Sequence, residues 1–163
     1  MKPHMLFFIL LAIAHCANLP AVVSTKEFFA AIRNGQKNDV FTWLSDNQVN
    51  VNASGEYCRK PLHVTAEIGS LELTQMLCDN GAAIAAIDFR RRQPLCLAAI
   101  HERLAVVAYL LLKGADPLAV DIVDHTARNI MEQRLASGHC RDEQTCKAII
   151  TLLATAEHNR TTS

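Results

Sequence analysis

The 163-residue sequence has no excess of charge of either sign, because 16 lysines and arginines balance 16 aspartates and glutamates. A neutral chain has no overall field that attracts nucleic acid or an anionic membrane, so any charged partner must be recognised locally. Aromatic residues are also few, at 6%, although half of all residues are hydrophobic. The apolar residues are mainly Leu, Ala, Ile and Val, a composition that favours a single helical domain.

Motifs that prepare a nucleophile or hold a phosphate are absent from the sequence. It contains no Gly-rich phosphate loop, no G-x-S-x-G turn and no H-E-x-x-H helix. Adjacent carboxylates such as Asp142 and Glu143 lie at a predicted helix start, where negative charge is favourable to the helix dipole. We therefore expect a protein that is not an enzyme and has no cofactor.

Seven histidines and six cysteines raise the question of a metal or thiol site. A strong zinc site has paired Cys-x2-Cys or His-x3-5-His elements, and none occurs; His139, Cys140 and Cys146 would make only a partial one. We expect no bound metal. A disulfide between Cys140 and Cys146 is a stronger prediction than a metal site, because Cys140 lies just before the predicted helix that carries Cys146 and an export signal in the first residues would direct the chain to an oxidising compartment.

The first segment is typical of an export signal. Lys2 precedes ten uninterrupted apolar residues, from Met5 to Ala14, and small residues follow them. Ten residues are too few to span a bilayer as a helix, which needs about twenty. We predict a signal peptide over residues 1–24, with cleavage after Ser24 favoured over cleavage after Ala14 or Ala21.

Two alternatives to a cleaved signal stay open. A longer run to Val23 would be a retained membrane anchor, but it includes the polar residues His15 and Asn18. Lipidation of Cys16 would also hold the chain at a membrane, although His15 stands where a lipoprotein has a small residue.

Identical residues recur 33 positions apart along the middle of the chain. The pairs are Pro61 and Pro94, Leu62 and Leu95, Ala66 and Ala99, Leu71 and Leu104, Leu77 and Leu110, Gly81 and Gly114, and Ala82 and Ala115. Each unit has a proline where a helix begins, apolar residues at helical spacing and a glycine where the second helix ends. A fixed period of this length indicates a repeat protein, in which neighbouring helix pairs stack to bury their apolar stripes.

These repeats resemble the ankyrin repeat, which has a turn, a T-P-L-H-x-A-A helix, a glycine, an L-L helix and a closing G-A-D. The second repeat reads KPLHVTAEIG with LTQMLCDNGA, and the third reads QPLCLAAIHE with VVAYLLLKGAD. Asp88 and Asp121 stand at the aspartate that opens the family's hairpin turn. The resemblance covers about residues 25–155 and implies an all-α solenoid of stacked helix pairs with short hairpin turns.

The resemblance also sets the predicted domain limits. The ankyrin domain is expected over residues 25–157, with repeats at about 25–52, 53–84, 85–117 and 118–156. The second helix of the last repeat, at about residues 142–156, comes about nine residues later than the period requires. The segment RLASGHCRDE is therefore predicted to be an insertion within the cap, and residues 158–163 a disordered tail.

Several histidines and cysteines acquire structural roles from the resemblance. His63 stands at the PLH position, which implies a hydrogen bond to the neighbouring turn. Cys78 and Cys96 stand at inward positions, where a free thiol packs as a small hydrophobic group. Cys58 replaces the hairpin glycine, so we expect it to be the most exposed of the three.

The resemblance implies a protein–protein interaction module that binds its partner through a concave face of turns and first helices. Positions carried over from the family's contacts predict Arg33, Asn34, Glu56, Tyr57, Arg59, Glu67, Ile68, Phe89, Arg90, Arg92, Ile100, His101, Ile122, Val123 and His125 as partner-binding residues, with Gln133 and Arg134 in the cap. Tyr57 and Phe89 each have an arginine beside them, and Tyr and Arg often dominate binding energy at interfaces.

We expect a monomer, exported to a periplasm or secreted, that binds another protein and neither nucleic acid nor a membrane after signal cleavage. The three consecutive arginines at 90–92 are too weak a basic patch to indicate nucleic-acid binding. A toxin-neutralising (immunity) protein and a host-directed effector are narrower alternatives within this class. The alternative from another class is a metal- or thiol-redox protein that uses the histidines and Cys58.

Overall fold

The computed structural model describes the protein from residue 23 to residue 162. Eight α-helices and one 3-10 turn make up this part of the chain: α1 (Thr25–Arg33), α2 (Lys37–Ser45), the 3-10 turn (Glu56–Cys58), α3 (Pro61–Ile68), α4 (Leu71–Asp79), α5 (Pro94–Ile100), α6 (Leu104–Leu112), α7 (Ala127–Ala136) and α8 (Glu143–Thr161). The only β-type pairing between residues 23 and 162 is one isolated bridge, between Val120 and Thr126. The predicted all-α fold is confirmed. Most of the predicted signal peptide, including Cys16, lies outside the described residues.

Local sequence signals set the ends of the central helices. Pro61 and Pro94 are the first residues of α3 and α5, where a missing N–H donor leaves no hydrogen bond unmade. Gly69 ends α3 in the left-handed region, with φ of 84°. A Cβ at this position would also collide with the side chain of Arg103, so the site favours glycine for two reasons.

The helices pack in two layers. The first helices of the four pairs (α1, α3, α5, α7) contact one another in order, and so do the second helices (α2, α4, α6, α8). Between the layers lie fully buried Leu73, Leu77, Leu95 and Leu110, each worth about 2 kcal/mol of burial. The 33-residue period thus stacks equivalent leucines, as the helical stripes predict.

The folded body begins before residue 25, the predicted domain start. The Ser24 hydroxyl accepts a hydrogen bond from the Glu27 N–H at 3.2 Å, and the Glu27 carboxylate accepts one from the Ser24 N–H at 3.0 Å. Val23 packs against the core. Ser24, the residue before the predicted cleavage point, is thus the N-cap of α1.

The C-terminal cap differs from the sequence prediction at both ends of its insertion. Helix α7 extends to Ala136, so only residues 137–142 form the inserted loop. Helix α8 extends to Thr161, so residues 158–161 are helical where a disordered tail was predicted. Near the end of α8, Glu157 pairs with Arg128 of α7 and Arg160 pairs with Asp116 of the third repeat, both at 2.9 Å.

Candidate protein-binding face

A buried carboxylate organises the hairpin turn of the third repeat. Asp88 accepts hydrogen bonds from the backbone N–H groups of Arg90 (2.8 Å) and Arg92 (3.0 Å) and pairs with the Arg92 guanidinium at 2.8 Å. Burial raises the pKa of the Asp88 carboxyl, but these donors lower it more, so the pKa lies below its ordinary value. Asp121 repeats the arrangement one period later, accepting from Val123 and His125 N–H groups.

The turns of successive repeats are joined edge to edge by backbone hydrogen bonds. The Phe89 N–H donates to the Tyr57 carbonyl, and the Ile122 N–H donates to the Arg90 carbonyl, each at 3.0 Å. His63 adds a third link. Its Nδ1 accepts from the Lys60 N–H at 3.1 Å, so its Nε2 carries the proton and donates to the Arg92 carbonyl at 3.1 Å. This is the neighbouring-turn bond predicted for the PLH histidine.

These links align four apolar side chains at the turn tips. We call Tyr57, Phe89, Ile122 and Val123 the turn-tip strip. Each is exposed by 51–66% of its surface, and the Tyr57 and Phe89 rings lie 5.3 Å apart. The Arg90 guanidinium lies over the Phe89 ring, 5.4 Å from its centroid. Large apolar side chains that are adjacent and this exposed make no contribution to the core and usually mark an interaction surface.

A second feature lies near the C-terminal ends of the first helices of the repeats. Arg33, Arg59, Val64, Glu67, Ile68, His101 and Arg103 line a hollow of about 320 Å³, which we call the arginine hollow. Arg59 pairs with Glu67 at 2.5 Å, and the Arg103 Nε donates to the Glu67 carbonyl at 3.0 Å. His101 Nε2 lies 3.6 Å from the Glu67 carboxylate. Burial nevertheless lowers the pKa of His101, and nearby arginines lower it further, which favours the neutral ring.

The predicted contact residues divide between these two features. Five line the arginine hollow (Arg33, Arg59, Glu67, Ile68, His101), and five are at the turn tips (Tyr57, Phe89, Arg90, Ile122, Val123). Asn34, Glu56 and Gln133 are exposed elsewhere on the surface, and Glu56 lines a second cavity, of about 550 Å³, that shares Arg33 with the arginine hollow.

The other predicted contacts have structural partners. Arg92 is committed to Asp88, and its side chain is only 14% exposed. Ile100 packs partly against the core, and the His125 N–H is bound to Asp121. Arg134 lies 3.4 Å from the Glu102 carboxylate. Sequence reasoning missed Arg103, because it lies outside the contact positions carried over from the family and reaches the hollow only by crossing Gly69.

The inserted loop is held by a carboxylate and two cysteines. Glu102 has a φ of 59°, in the left-handed region, at the position where the preceding repeat has Gly69. Its carboxylate accepts hydrogen bonds from the N–H groups of Arg141 (2.9 Å) and Asp142 (3.1 Å) and pairs with Arg134. We call this set the Glu102 clamp. Burial raises the pKa of the Glu102 carboxyl, but the N–H donors outweigh burial, so the pKa lies below 4.5.

Cys140 and Cys146 lie beside the Glu102 clamp with their sulfur atoms in bonding contact. Their Cα atoms are 6.4 Å apart, within the range that a disulfide spans. The ligand atoms of these two cysteines and Glu102 lie within 4.8 Å of one another. The Glu102 oxygens already accept three N–H donors, so the arrangement serves to fasten the loop to the third repeat.

The remaining described cysteines differ in exposure. Cys58 is exposed at a turn tip, Cys78 is half-buried and Cys96 is buried. Burial raises the pKa of the Cys96 thiol to about 12. The predicted order of exposure, with Cys58 first, agrees with the structure. Among residues 23–162, no helix combines the length and the apolar character that a membrane crossing requires.

Curated relatives share this repeat architecture in part. The chain is 32% identical to "Zygote-specific protein 3" of Chlamydomonas reinhardtii over 70% of its own length and 30% of the relative's. It is 31% identical to "E3 ubiquitin-protein ligase XB3" of Oryza sativa subsp. japonica over 60% of its length and 22% of the relative's. The chain thus spans less than a third of the length of these relatives.

The family comparison agrees with the period, the helix pairs and the joined turns. The model for ankyrin repeats in three copies matches residues 28–121, more than half of the chain. Ankyrin repeats generally act as protein-binding modules without catalysis of their own. The chain therefore belongs to the ankyrin-repeat family.

Proposed function

We propose that this protein is a non-catalytic module that binds one protein partner through the face formed by the turn-tip strip and the arginine hollow. The turn-tip strip carries the proposal, because four adjacent apolar side chains stay more than half exposed while the backbone beneath them is tightly hydrogen-bonded. A rigid apolar surface loses little conformational freedom on binding, which favours affinity.

We also propose that the protein acts as a monomer outside the cytoplasm, in a periplasm or after secretion. The Lys-apolar-small pattern of the first residues supports export. The bonding contact of Cys140 with Cys146 also supports it, because structural disulfides persist in oxidising compartments. A toxin-neutralising protein and a host-directed effector are narrower forms of the same proposal, and both bind a protein partner.

The test is partner binding after the turn-tip strip is changed. The tagged protein is used to capture its partner from cells that contain it naturally, and the purified pair is measured by calorimetry. We expect Phe89→Ala combined with Arg90→Ala to weaken binding at least tenfold, about 1.4 kcal/mol, with little change in the melting temperature. Both side chains are exposed, so their loss leaves the core unchanged.

Phe41→Ala is the matched control, because Phe41 is 58% exposed on α2, in the layer of second helices. It is expected to bind the partner as the parent does. Equal binding by the Phe89→Ala, Arg90→Ala variant and the parent would show that the partner binds another face.

A further inference from the structure

The arginine hollow has more positive charge than its own carboxylate balances. Three arginines, Arg33, Arg59 and Arg103, line the hollow together with a single acidic residue, Glu67. Arg59 pairs with Glu67, whereas neither Arg33 nor Arg103 forms an ion pair with any residue between 23 and 162. The chain as a whole is neutral, so this is a local excess rather than part of a basic surface.

The unpaired guanidinium groups are held in place before any partner binds. The Arg103 Nε donates to the Glu67 carbonyl at 3.0 Å, and its side chain crosses the backbone where Gly69 leaves room. The Arg33 guanidinium lies over the Phe29 ring, 5.9 Å from its centroid. Fixed donors lose less side-chain entropy on binding than mobile ones, and a planar guanidinium can hold a carboxylate through two hydrogen bonds.

The remaining surroundings favour an anion that adjoins an apolar group. Val64 is buried and Ile68 half-buried in the wall of the hollow, so the environment is partly apolar and charge pairing is stronger there than in water. Glu67 offsets only one of the three guanidinium charges, so the hollow attracts an anion, and its apolar wall fits a carboxylate carried beside a hydrophobic residue. The segment before residue 23 has no Asp or Glu side chain, so it cannot supply the carboxylate.

We propose that the arginine hollow binds an Asp or Glu side chain from an acidic segment of the protein partner, between Arg33 and Arg103. This inference rests on the proposed function and adds the chemistry of the partner. The apolar wall favours a segment in which a hydrophobic residue adjoins the acidic one. The turn-tip strip supplies a second, apolar contact for the same partner.

A random-peptide selection tests the proposal without knowledge of the partner. The full chain is used to select from a phage-displayed library of twelve-residue peptides, and the strongest binder is synthesised with each acidic residue present and with each replaced by Gln. We expect the selected peptides to be enriched in Asp and Glu at least twofold over the library. We expect the Gln version to bind at least tenfold more weakly.

Variants then locate the contact. Arg33→Gln with Arg103→Gln is expected to weaken peptide binding at least tenfold, while Lys113→Gln with Lys147→Gln, the same charge change on exposed side chains of the second-helix layer, is expected to have less than a twofold effect. Circular dichroism confirms that each variant is folded. Peptides without acidic enrichment, or equal binding by the arginine variant and the parent, would overturn the proposal.

The outcomes separate this inference from the proposed function. If binding of the selected peptides is weakened by Phe89→Ala with Arg90→Ala but not by the arginine variant, the protein-binding face stands and the acidic specificity is wrong. If a twelve-nucleotide single strand competes for the hollow more strongly than the peptide, the ligand is a nucleic acid and the acidic-segment proposal is overturned. If no peptide and no partner binds, both proposals fail.

Discussion

Glu102 offers a test in which two physical effects oppose each other. Its backbone has a φ of 59°, where a side chain costs about 1 kcal/mol relative to glycine. Its carboxylate, only 6% exposed, holds the inserted loop through the N–H groups of Arg141 and Asp142 and through Arg134. Replacement of Glu102 by glycine relieves the backbone strain and removes the carboxylate that holds the loop.

The expected magnitude follows from the bonds in the Glu102 clamp. Each hydrogen bond contributes about 1 kcal/mol net, and the freed N–H groups of the loop can bind water, so the three donors together contribute about 2–3 kcal/mol. We therefore expect Glu102→Ala to lower the free energy of unfolding by about 2–3 kcal/mol. We expect Glu102→Gly to lower it by about 1 kcal/mol less than that, since glycine tolerates the left-handed backbone.

Urea unfolding followed by circular dichroism gives the order of stability, which we expect to be parent, then glycine variant, then alanine variant. Hydrogen exchange at the Arg141 and Asp142 amides is expected to speed up in both variants. A glycine variant as stable as the parent would refute the argument that the clamp outweighs the strain. Equal stability of the two variants would show that the backbone conformation carries no cost.

Acidification provides an independent check on the same carboxylate. The folded-state pKa of Glu102 lies below its ordinary value of 4.5, so the unfolded chain takes up the proton first and stability is lost as the pH falls below about 4.5. The stability difference between the parent and Glu102→Gly is therefore full above this pH and is expected to shrink below it. A difference that is unchanged down to pH 3 would contradict the assigned pKa direction.

The remaining predictions concern a buried histidine and the free thiols. Burial lowers the pKa of His63 below 6.5, so the unfolded chain binds the proton first as the pH falls. We expect the free energy of unfolding of the parent to fall by up to about 1.4 kcal/mol per pH unit below pH 6.5. The His63→Gln variant is expected to show a shallower fall, with both measured by urea unfolding. Equal slopes would contradict the neutral state of His63. Cys58 is expected to react with a maleimide in the folded protein, and Cys96 only after unfolding, as read by peptide mass mapping; rapid native labelling of Cys96 would show that it is not in the core.

The stacked helix pairs can be predicted from the sequence because the signals that define them are local and repeated. Pro61 and Pro94 mark helix starts, Gly69 marks a left-handed turn, and apolar residues at helical spacing mark the buried stripes. Each signal acts within one helical turn, so it can be recognised without knowing what packs against it. The same locality explains why Cys58 was expected to be exposed and His63 to bind the next turn, since both follow from position within a repeat.

The end of the domain was decided by long-range contacts. Residues 158–161 have no strong helix signal of their own and were predicted to be disordered. They continue α8, which the Arg128–Glu157 ion pair anchors just before them, and Arg160 contacts Asp116 of the third repeat, so the contacts at this end come from other elements. Likewise, only the structure shows that Ser24 and Glu27 cap α1, which places the start of the fold before the predicted boundary.

The sequence alone determined that this is a stacked helical repeat with exposed turn tips, because a period of 33 fixes which residues share a face. Only the tertiary structure decided which of the exposed residues form a site. Arg33, Arg59 and Arg103 come from three successive repeats and converge because α1, α3 and α5 pack in order. Arg92, which lies one 33-residue period after Arg59, instead pairs with the buried Asp88, since a buried carboxylate requires a charged partner.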